Sequence, residues 1–423
     1  MSANWKKNDF LKNVLILLSG NSLAQLISIL MIPVLARYFL PEQWGMLGAF
    51  VAISGWAGVI AALRYDLAIM LPKSNDDAKK LAKISIGLSA IVAAILAIPI
   101  LIFKLDIAIY LNEDGKFDAI ELSNWFYLIP VSIFLFGFNS AITMWQTRKK
   151  RFSQVAGAGI GRSITSAGVN LSAGIAKMGS GGLIAGQFLG QAVNGLILAL
   201  GSLKNILSAP VPSSERKRLM KEYKDFPLKS GPAILLNLTA NQLPILLILP
   251  WFGAGVAGQF FMMQKILNIP LTFIGKSVGH VFYQKSNENL NAGISVRPLV
   301  IKTSLTLLAI IIIPMTVLFF FGEPIFETVL GSEFKEAGRI AGVFAIFYLF
   351  RFIFSTQSTL LTSKRKLTVE ILFNACFLIT QVGSVIYGYF TNDYNLAFKL
   401  MAVSGSALFL ILGVLIFKYA GDK

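Results

Sequence analysis

Three cations, Arg162, Lys265 and Arg351, stand near the middle of long apolar segments, in a chain with almost no acid at that depth to balance them. A charged residue at the centre of a membrane helix costs about 2.5–3.5 kcal/mol on insertion scales, so three cost roughly 9 kcal/mol. The simplest compensation is an interior cavity that holds an anion. The chemistry expected is therefore recognition of a negatively charged substrate by a membrane carrier.

Polar residues around these cations extend the pattern. Arg162 shares a helical face with Ser166 and Asn170, and Gly157, Gly159 and Gly161 nearby permit close helix approach. Gln187, Gln191 and Asn194 form an i, i+4, i+7 stripe, and Asn237 and Asn241 lie four apart, as do Asn21 and Gln25. These amides suit interhelical hydrogen bonding and cavity lining equally well. Lys265 has Gln264 beside it, and Arg351 has Tyr348, Ser355, and Ser358 or Thr359 around it. Glu370 is the one acid within an expected span, near its cytoplasmic edge, and a structural pair with Lys366 or Arg365 is favoured over a proton relay. Arg64 and Asp66, at the inner end of the second span, either pair with each other or line a cytoplasmic mouth. Glu370 and Asp66 are the candidates for coupling to an ion.

The elements that must carry these residues are membrane helices. The 423-residue chain is 55% hydrophobic and 14% charged, against about 25% charged in soluble domains. Its apolar residues fall in long blocks rather than amphipathic stripes, which predicts an all-α polytopic membrane protein. A bilayer core needs about 20 helical residues per crossing, and that window predicts twelve spans. They run over 14–36, 44–63, 82–103, 124–145, 153–176, 183–203, 231–252, 256–275, 299–321, 338–361, 367–388 and 397–418. Met1 to Lys12, with Lys6, Lys7 and Lys12, resembles the start of a signal peptide, but Val14 to Ala36 is long enough to be a retained first helix.

Most Lys and Arg fall in alternate loops, in clusters such as Arg148-Lys149-Lys150-Arg151, Arg216-Lys217-Arg218 and Lys364-Arg365-Lys366. Acids concentrate in the others, at 106–121 and 323–336. That bias predicts cytoplasmic termini and makes the basic runs topology determinants beside anionic lipid. The net charge of +17 is thus assigned to membrane lipids as partners and not to nucleic acid. The connection 204–230 predicts a division into lobes 1–203 and 231–423, and Ser213 to Lys224 within it predicts a short amphipathic helix on the membrane surface.

Enzyme signals are poor. One Cys, Cys376, and one His, His280, leave no material for a disulfide, a Cys or His metal cluster, or a hydrolytic triad, and no cofactor is expected. His280 near a helix end reads as an interfacial hydrogen-bonding residue. Gly275-Lys276-Ser277 ends like a phosphate-binding loop, but Pro270 stands where the first Gly is required.

Several stretches carry a family likeness: Ala36-Arg37-Tyr38-Phe39-Leu40-Pro41-Glu42-Gln43-Trp44-Gly45, Leu63-Arg64-Tyr65-Asp66-Leu67-Ala68-Ile69-Met70, Tyr223-Lys224-Asp225-Phe226-Pro227-Leu228, and Asn237 to Phe282 with Gly258, Lys265 and Pro270. Through them the chain resembles bacterial polysaccharide flippases of the Wzx type, in the superfamily of multidrug exporters and the lipid II flippase. The resemblance implies two six-helix lobes in a V around a central cavity, working by alternating access. It implies an undecaprenyl-pyrophosphate-linked oligosaccharide as substrate, moved to the outer leaflet of the bacterial inner membrane for O-antigen, capsule or exopolysaccharide. A polysaccharide polymerase and a chain-length regulator are further expected partners. Arg162, Lys265 and Arg351 are the counterparts of the family's intramembrane cations by position within their spans. The drive is then the membrane potential, or antiport of H⁺ or Na⁺. The rival readings are a multidrug exporter of the same fold, which for organic cations needs cavity acids, and a membrane-embedded polymerase or ligase, which needs a larger external loop than 104–123.

Overall fold

The computed structural model of the chain describes residues 22–112, 119–364 and 366–421. Lys6, Lys7, Lys12, Asn21, the start of the first expected span, the loop around Glu113 to Lys116, and Arg365 lie outside the described residues. The described residues form helices and no strand. In chain order these are α1 (Ser22–Ala36), α2 (Pro41–Ile60), α3 (Tyr65–Ala68), α4 (Asn75–Ile102), α5 (Lys104–Leu111), α6 (Ala119–Trp125), α7 (Leu128–Arg148), α8 (Phe152–Ile175), α9 (Gly179–Ala199), α10 (Leu203–Leu207), α11 (Ser213–Glu222), α12 (Gly231–Phe252), α13 (Ala254–Pro270), α14 (Lys276–Asn291), α15 (Arg297–Leu330), α16 (Lys335–Gln357), α17 (Thr359–Ser363), α18 (Leu367–Phe390) and α19 (Tyr394–Gly421).

Over the described residues, every expected span falls on helix. Among the described residues nine helices are long and apolar enough to cross a membrane, so length and composition support nine of the twelve expected crossings. The remainder are α1, described only from Ser22, the 17-residue α13, and α8, whose apolar run is diluted by Gly, Ser and Arg162. The chain is a multi-pass membrane protein.

Two elements depart from expectation. The span expected over 299–321 continues as α15 to Leu330, bent at Phe321 (φ −125°, ψ 16°) three residues before Pro324. Proline removes one backbone bond and crowds the preceding turn, which bends a helix without ending it. The connection after Gly275 folds as α14, because Phe282 and Ser286, four apart, share a buried face.

The chain divides into two compact units. Unit 1 comprises Met1–Phe39 and Met46–Leu235, and unit 2 comprises Leu40–Gly45 and Leu236–Lys423.

In unit 1, Ser74 caps α4, its hydroxyl accepting from Asp76 N at 3.0 Å and Asp77 N at 3.4 Å. The Arg148 guanidinium donates to the carbonyls of Ile69, Met70, Pro72 and Ser74 and to Asn75 Oδ1, fixing the turn that precedes α4. The amphipathic helix expected at Ser213 to Lys224 forms as α11, yet its apolar side faces protein. Leu219 is fully buried in a cluster with Tyr65, Ala78, Leu81 and Trp145. Lys80 bridges Asp76 and Glu215 at 2.5 Å each, and Arg218 reaches Asp77 at 2.8 Å. Burial of Leu219, with Lys80 and Asp77 of α4 facing Glu215 and Arg218 of α11, competes successfully with a lipid surface.

In unit 2, α16 lies at the centre, packed by α13, α15 and α19. The abundance of Phe is used here: Phe260 stacks on Phe398 with centroids 5.3 Å apart, and Phe344, Phe347, Phe377 and Phe409 extend the cluster edge-to-face and stacked. Gln259 of α13 clamps the start of α16, donating to Glu333 O at 2.6 Å and accepting from Ala337 N at 2.9 Å. The first turn of α2 belongs to this unit. It approaches α13 through Gly45 and Gly258, where a Cβ on either glycine would meet the other helix's backbone.

Candidate functional site

Lys265 projects from α13 two turns after the glycine contact. That contact brings Trp44 alongside, so the Lys265 ammonium sits over the Trp44 ring at 4.5 Å, with the Phe261 ring at 5.9 Å. Trp44 is fully buried and Lys265 half-buried. A ring face attracts a cation without cancelling its charge, at about 0.5–2 kcal/mol. One turn on, Asn268 donates to Gln264 O at 2.7 Å and approaches the Tyr348 hydroxyl across to α16.

Arg351, three residues past Tyr348, lies 5.5 Å and 5.6 Å from the Tyr348 and Phe347 ring centroids. Its guanidinium donates to Asn241 Oδ1 at 2.8 Å. The Asn241 amide donates to Asn237 O at 2.7 Å, and Asn237 Nδ2 donates to Asn374 Oδ1 at 2.9 Å. Asn237 and Asn241 thus form a relay linking α12, α16 and α18 that aims the guanidinium. The clamp at Gln259 and the Asn268–Tyr348 approach place Lys265 and Arg351 on facing helices of one unit. Among the described residues, neither has a carboxylate within ion-pair distance.

Arg162 belongs to unit 1, on α8. It is half-buried and likewise takes no carboxylate among the described residues. Gly190 of α9 packs against it, a Cβ there standing 3.0 Å from the Arg162 carbonyl. Gln191 is buried, and neither its amide oxygen nor its nitrogen finds a partner among the described residues, while its backbone carbonyl accepts from Asn139 Nδ2 at 3.0 Å. Such a group costs about 1–3 kcal/mol unless water or ligand satisfies it. Gln187 and Asn194 are half-buried on the same helix.

Of the pairings expected for the two acids, those with Arg64 and Lys366 do not form, and one between Glu370 and Arg365 lies outside the described residues. Asp66 is buried and accepts from the Ser140 hydroxyl, its other oxygen lacking a partner among the described residues. It forms no ion pair with Arg64, whose backbone is left-handed (φ 62°). Glu370 accepts from the Thr362 hydroxyl at 3.4 Å and not from Lys366, whose ammonium lies over the Tyr419 ring at 5.3 Å. Trp44, Asn268 and Asn374 are contributors that sequence reasoning gave no partner role. Their only signal was that each is a polar-tipped or aromatic side chain within an apolar stretch.

Helices that satisfy their own backbone, exposed apolar surfaces and half-buried cations beside rings and amides define a polytopic membrane fold. Solved structures share it. A lipid II flippase, MurJ, in an inward closed conformation superposes with a TM-score of 0.75 at 14% identity, over 95% of this chain and 86% of that one. An inward-facing multidrug resistance transporter of the MATE family, in the MOP superfamily, gives 0.70 at 14% identity, over 95% and 93%. A MATE structure in a bent conformation gives 0.60 at 14% identity, over 98% and 94%. At these identities the likeness is one of fold. No curated protein matches the chain in sequence. The chain belongs to the family described as polysaccharide biosynthesis protein, whose model matches residues 34–339. The resemblance read from the sequence therefore holds for the family and for the polytopic helical fold.

Proposed function

We propose that the protein is a flippase for undecaprenyl-pyrophosphate-linked oligosaccharide repeat units, carrying them from the cytoplasmic to the outer leaflet of the bacterial inner membrane by alternating access. The observation that carries this reading is the pairing of Lys265 and Arg351 on facing helices, each held by aromatic faces or amides and not by carboxylate. A cation so held is positioned but not neutralised, so an arriving pyrophosphate gains attraction that no internal acid competes for. Membership of a polysaccharide biosynthesis family supports a sugar-bearing substrate.

In this reading 1–203 and 231–423 act as lobes joined by 204–230, with cytoplasmic termini. Lys265 and Arg351 bind the pyrophosphate, and Arg162 is a further cation that the headgroup meets during the cycle. Gln187, Gln191 and Asn194 hydrogen-bond sugar, Arg64 contributes at the cytoplasmic entry, and Asn237 and Asn241 hold Arg351. Asp66 and Glu370 are the carboxylates available for ion coupling. An exporter of organic cations is disfavoured, since it needs acid where these helices place base.

The test is single replacement of Arg162, Lys265 and Arg351 by Ala in a strain lacking the chromosomal copy, scoring surface polysaccharide and the amount of membrane-inserted protein. Export is expected to fall at normal protein levels. Full export from all three variants would sink the reading.

A further inference from the structure

We propose that a pocket beyond Arg351, at the end of α16, is a subsite for the sugar portion of the headgroup. This rests on the flippase reading above and assigns a place to the glycan within it. The pocket encloses about 510 Å³. Small-molecule sites span about 300–1,000 Å³, so one or two sugar rings fit. It lies within unit 2, between α14 and the junction of α16 with α17.

Four Ser and Thr residues line the pocket, together with Leu271, Gly275 and Gly279. Ser355, Thr359 and Thr362 follow Arg351 at spacings of four, eight and eleven residues and continue its helical face into the pocket. Thr356 joins them, and His280 and Tyr283, three apart on α14, face them. Ser355 donates to Arg351 O at 2.5 Å and Thr356 to Phe352 O at 2.6 Å, which leaves their oxygens free to accept. The Thr359 hydroxyl has no partner among the described residues, and Thr362 donates to Glu370 Oε2 at 3.4 Å. Gly279 keeps the opposite wall low: a Cβ there would stand 3.3 Å from Thr356 O.

Among the described residues the lining holds no Lys, Arg, Asp or Glu, so it suits a neutral polyol better than phosphate. Acceptor oxygens, an imidazole and a phenol complement the mixed donors and acceptors of a sugar, and the Tyr283 ring offers a face to its C–H surface. The pyrophosphate at Arg351 and a sugar one to three turns further along are in the order in which a glycosylated pyrophosphate presents them. The Lys/Arg bias places this end of α16 on the cytoplasmic side, where the headgroup enters.

The experiment uses the full chain in proteoliposomes, with Cys376→Ser and Thr359→Cys so that the pocket carries the only thiol. The rate of labelling by a small hydrophilic maleimide is measured with undecaprenyl pyrophosphate, with the same carrier bearing one N-acetylhexosamine, and with the free sugar. The glycosylated carrier is expected to slow labelling about tenfold and the bare carrier hardly at all, and protection by free sugar alone would support a soluble source. Equal protection by both carriers, or none from either sugar-bearing probe while carrier binding stays sensitive to Arg351→Ala, overturns the subsite. Carrier binding indifferent to Arg351→Ala defeats the flippase reading instead, and the free-sugar arm then decides the pocket by itself. In a second variant, Thr359→Val, affinity for the glycosylated carrier is expected to fall about 3- to 10-fold with the bare carrier and thermal stability unchanged. An equal fall for both carriers counts against the proposal.

Discussion

Arg351 shows how a guanidinium is kept in an apolar segment without an acid. Asn241 accepts one of its N–H groups, the Tyr348 and Phe347 rings flank it, and the Asn237–Asn374 contact fixes Asn241 in turn. Arginine does not shed its proton to escape burial, so the charge is permanent and its neighbours decide whether it is available. Two substitutions at Asn241 separate holding the charge from neutralising it. Asn241→Leu leaves an N–H unpaired and is expected to cost about 1–3 kcal/mol of stability, read by thermal unfolding in detergent. Asn241→Asp supplies an internal counter-charge. It loses the donor to Asn237 O but gains an ion pair with Arg351, so it is expected to unfold at a higher temperature than Asn241→Leu yet bind a pyrophosphate lipid at least about tenfold more weakly than the parent. Undiminished binding by Asn241→Asp would mean that the anion does not use Arg351.

Among the elements, α11 is held chiefly by its buried leucine. Leu219 sits fully enclosed among Tyr65, Ala78 and Leu81, whereas the Arg218–Asp77 pair is half exposed, at 51% and 26% of the side chains. Truncating a buried leucine costs about 2–5 kcal/mol, while exposed pairs contribute about 0–1 kcal/mol. Leu219→Ala is therefore expected to release the connection 204–230 to protease and to lower the melting temperature clearly. Asp77→Asn should change neither measurably. The reverse ranking would show that charge, not burial, seats this helix on unit 1.

For the whole molecule, the proposed direction of transport carries a consequence for energetics. Moving negative charge outward is favoured by an inside-negative potential at about 2.3 kcal/mol per charge per 100 mV. In proteoliposomes holding a potassium diffusion potential, flipping of a fluorescent pyrophosphate-linked sugar lipid is expected to accelerate when the side matching the cytoplasm is made negative. It should slow when the potential is collapsed. Rates indifferent to potential but responsive to a pH or sodium gradient would transfer the drive to carboxylates such as Asp66 or Glu370.

An all-helical, multi-pass architecture was legible in the residues themselves, because hydrocarbon demands internally bonded backbone and long apolar runs wherever a chain crosses it. The same local rule placed Arg162, Lys265 and Arg351 in mid-segment and located α11. Extension of α15 past Phe321 was hidden, since proline reads locally as a stop although it also tolerates a bend. Which residues attend each cation was not legible at all. Trp44 lies more than two hundred positions from Lys265, and Asn241 more than one hundred from Arg351. Only packing decides such pairs: the approach of Gly45 to Gly258 delivers the indole, and the seating of α12 against α16 delivers the amide. Local patterns record the solvent each segment meets, whereas the partner of a buried charge depends on how separate helices fill space together.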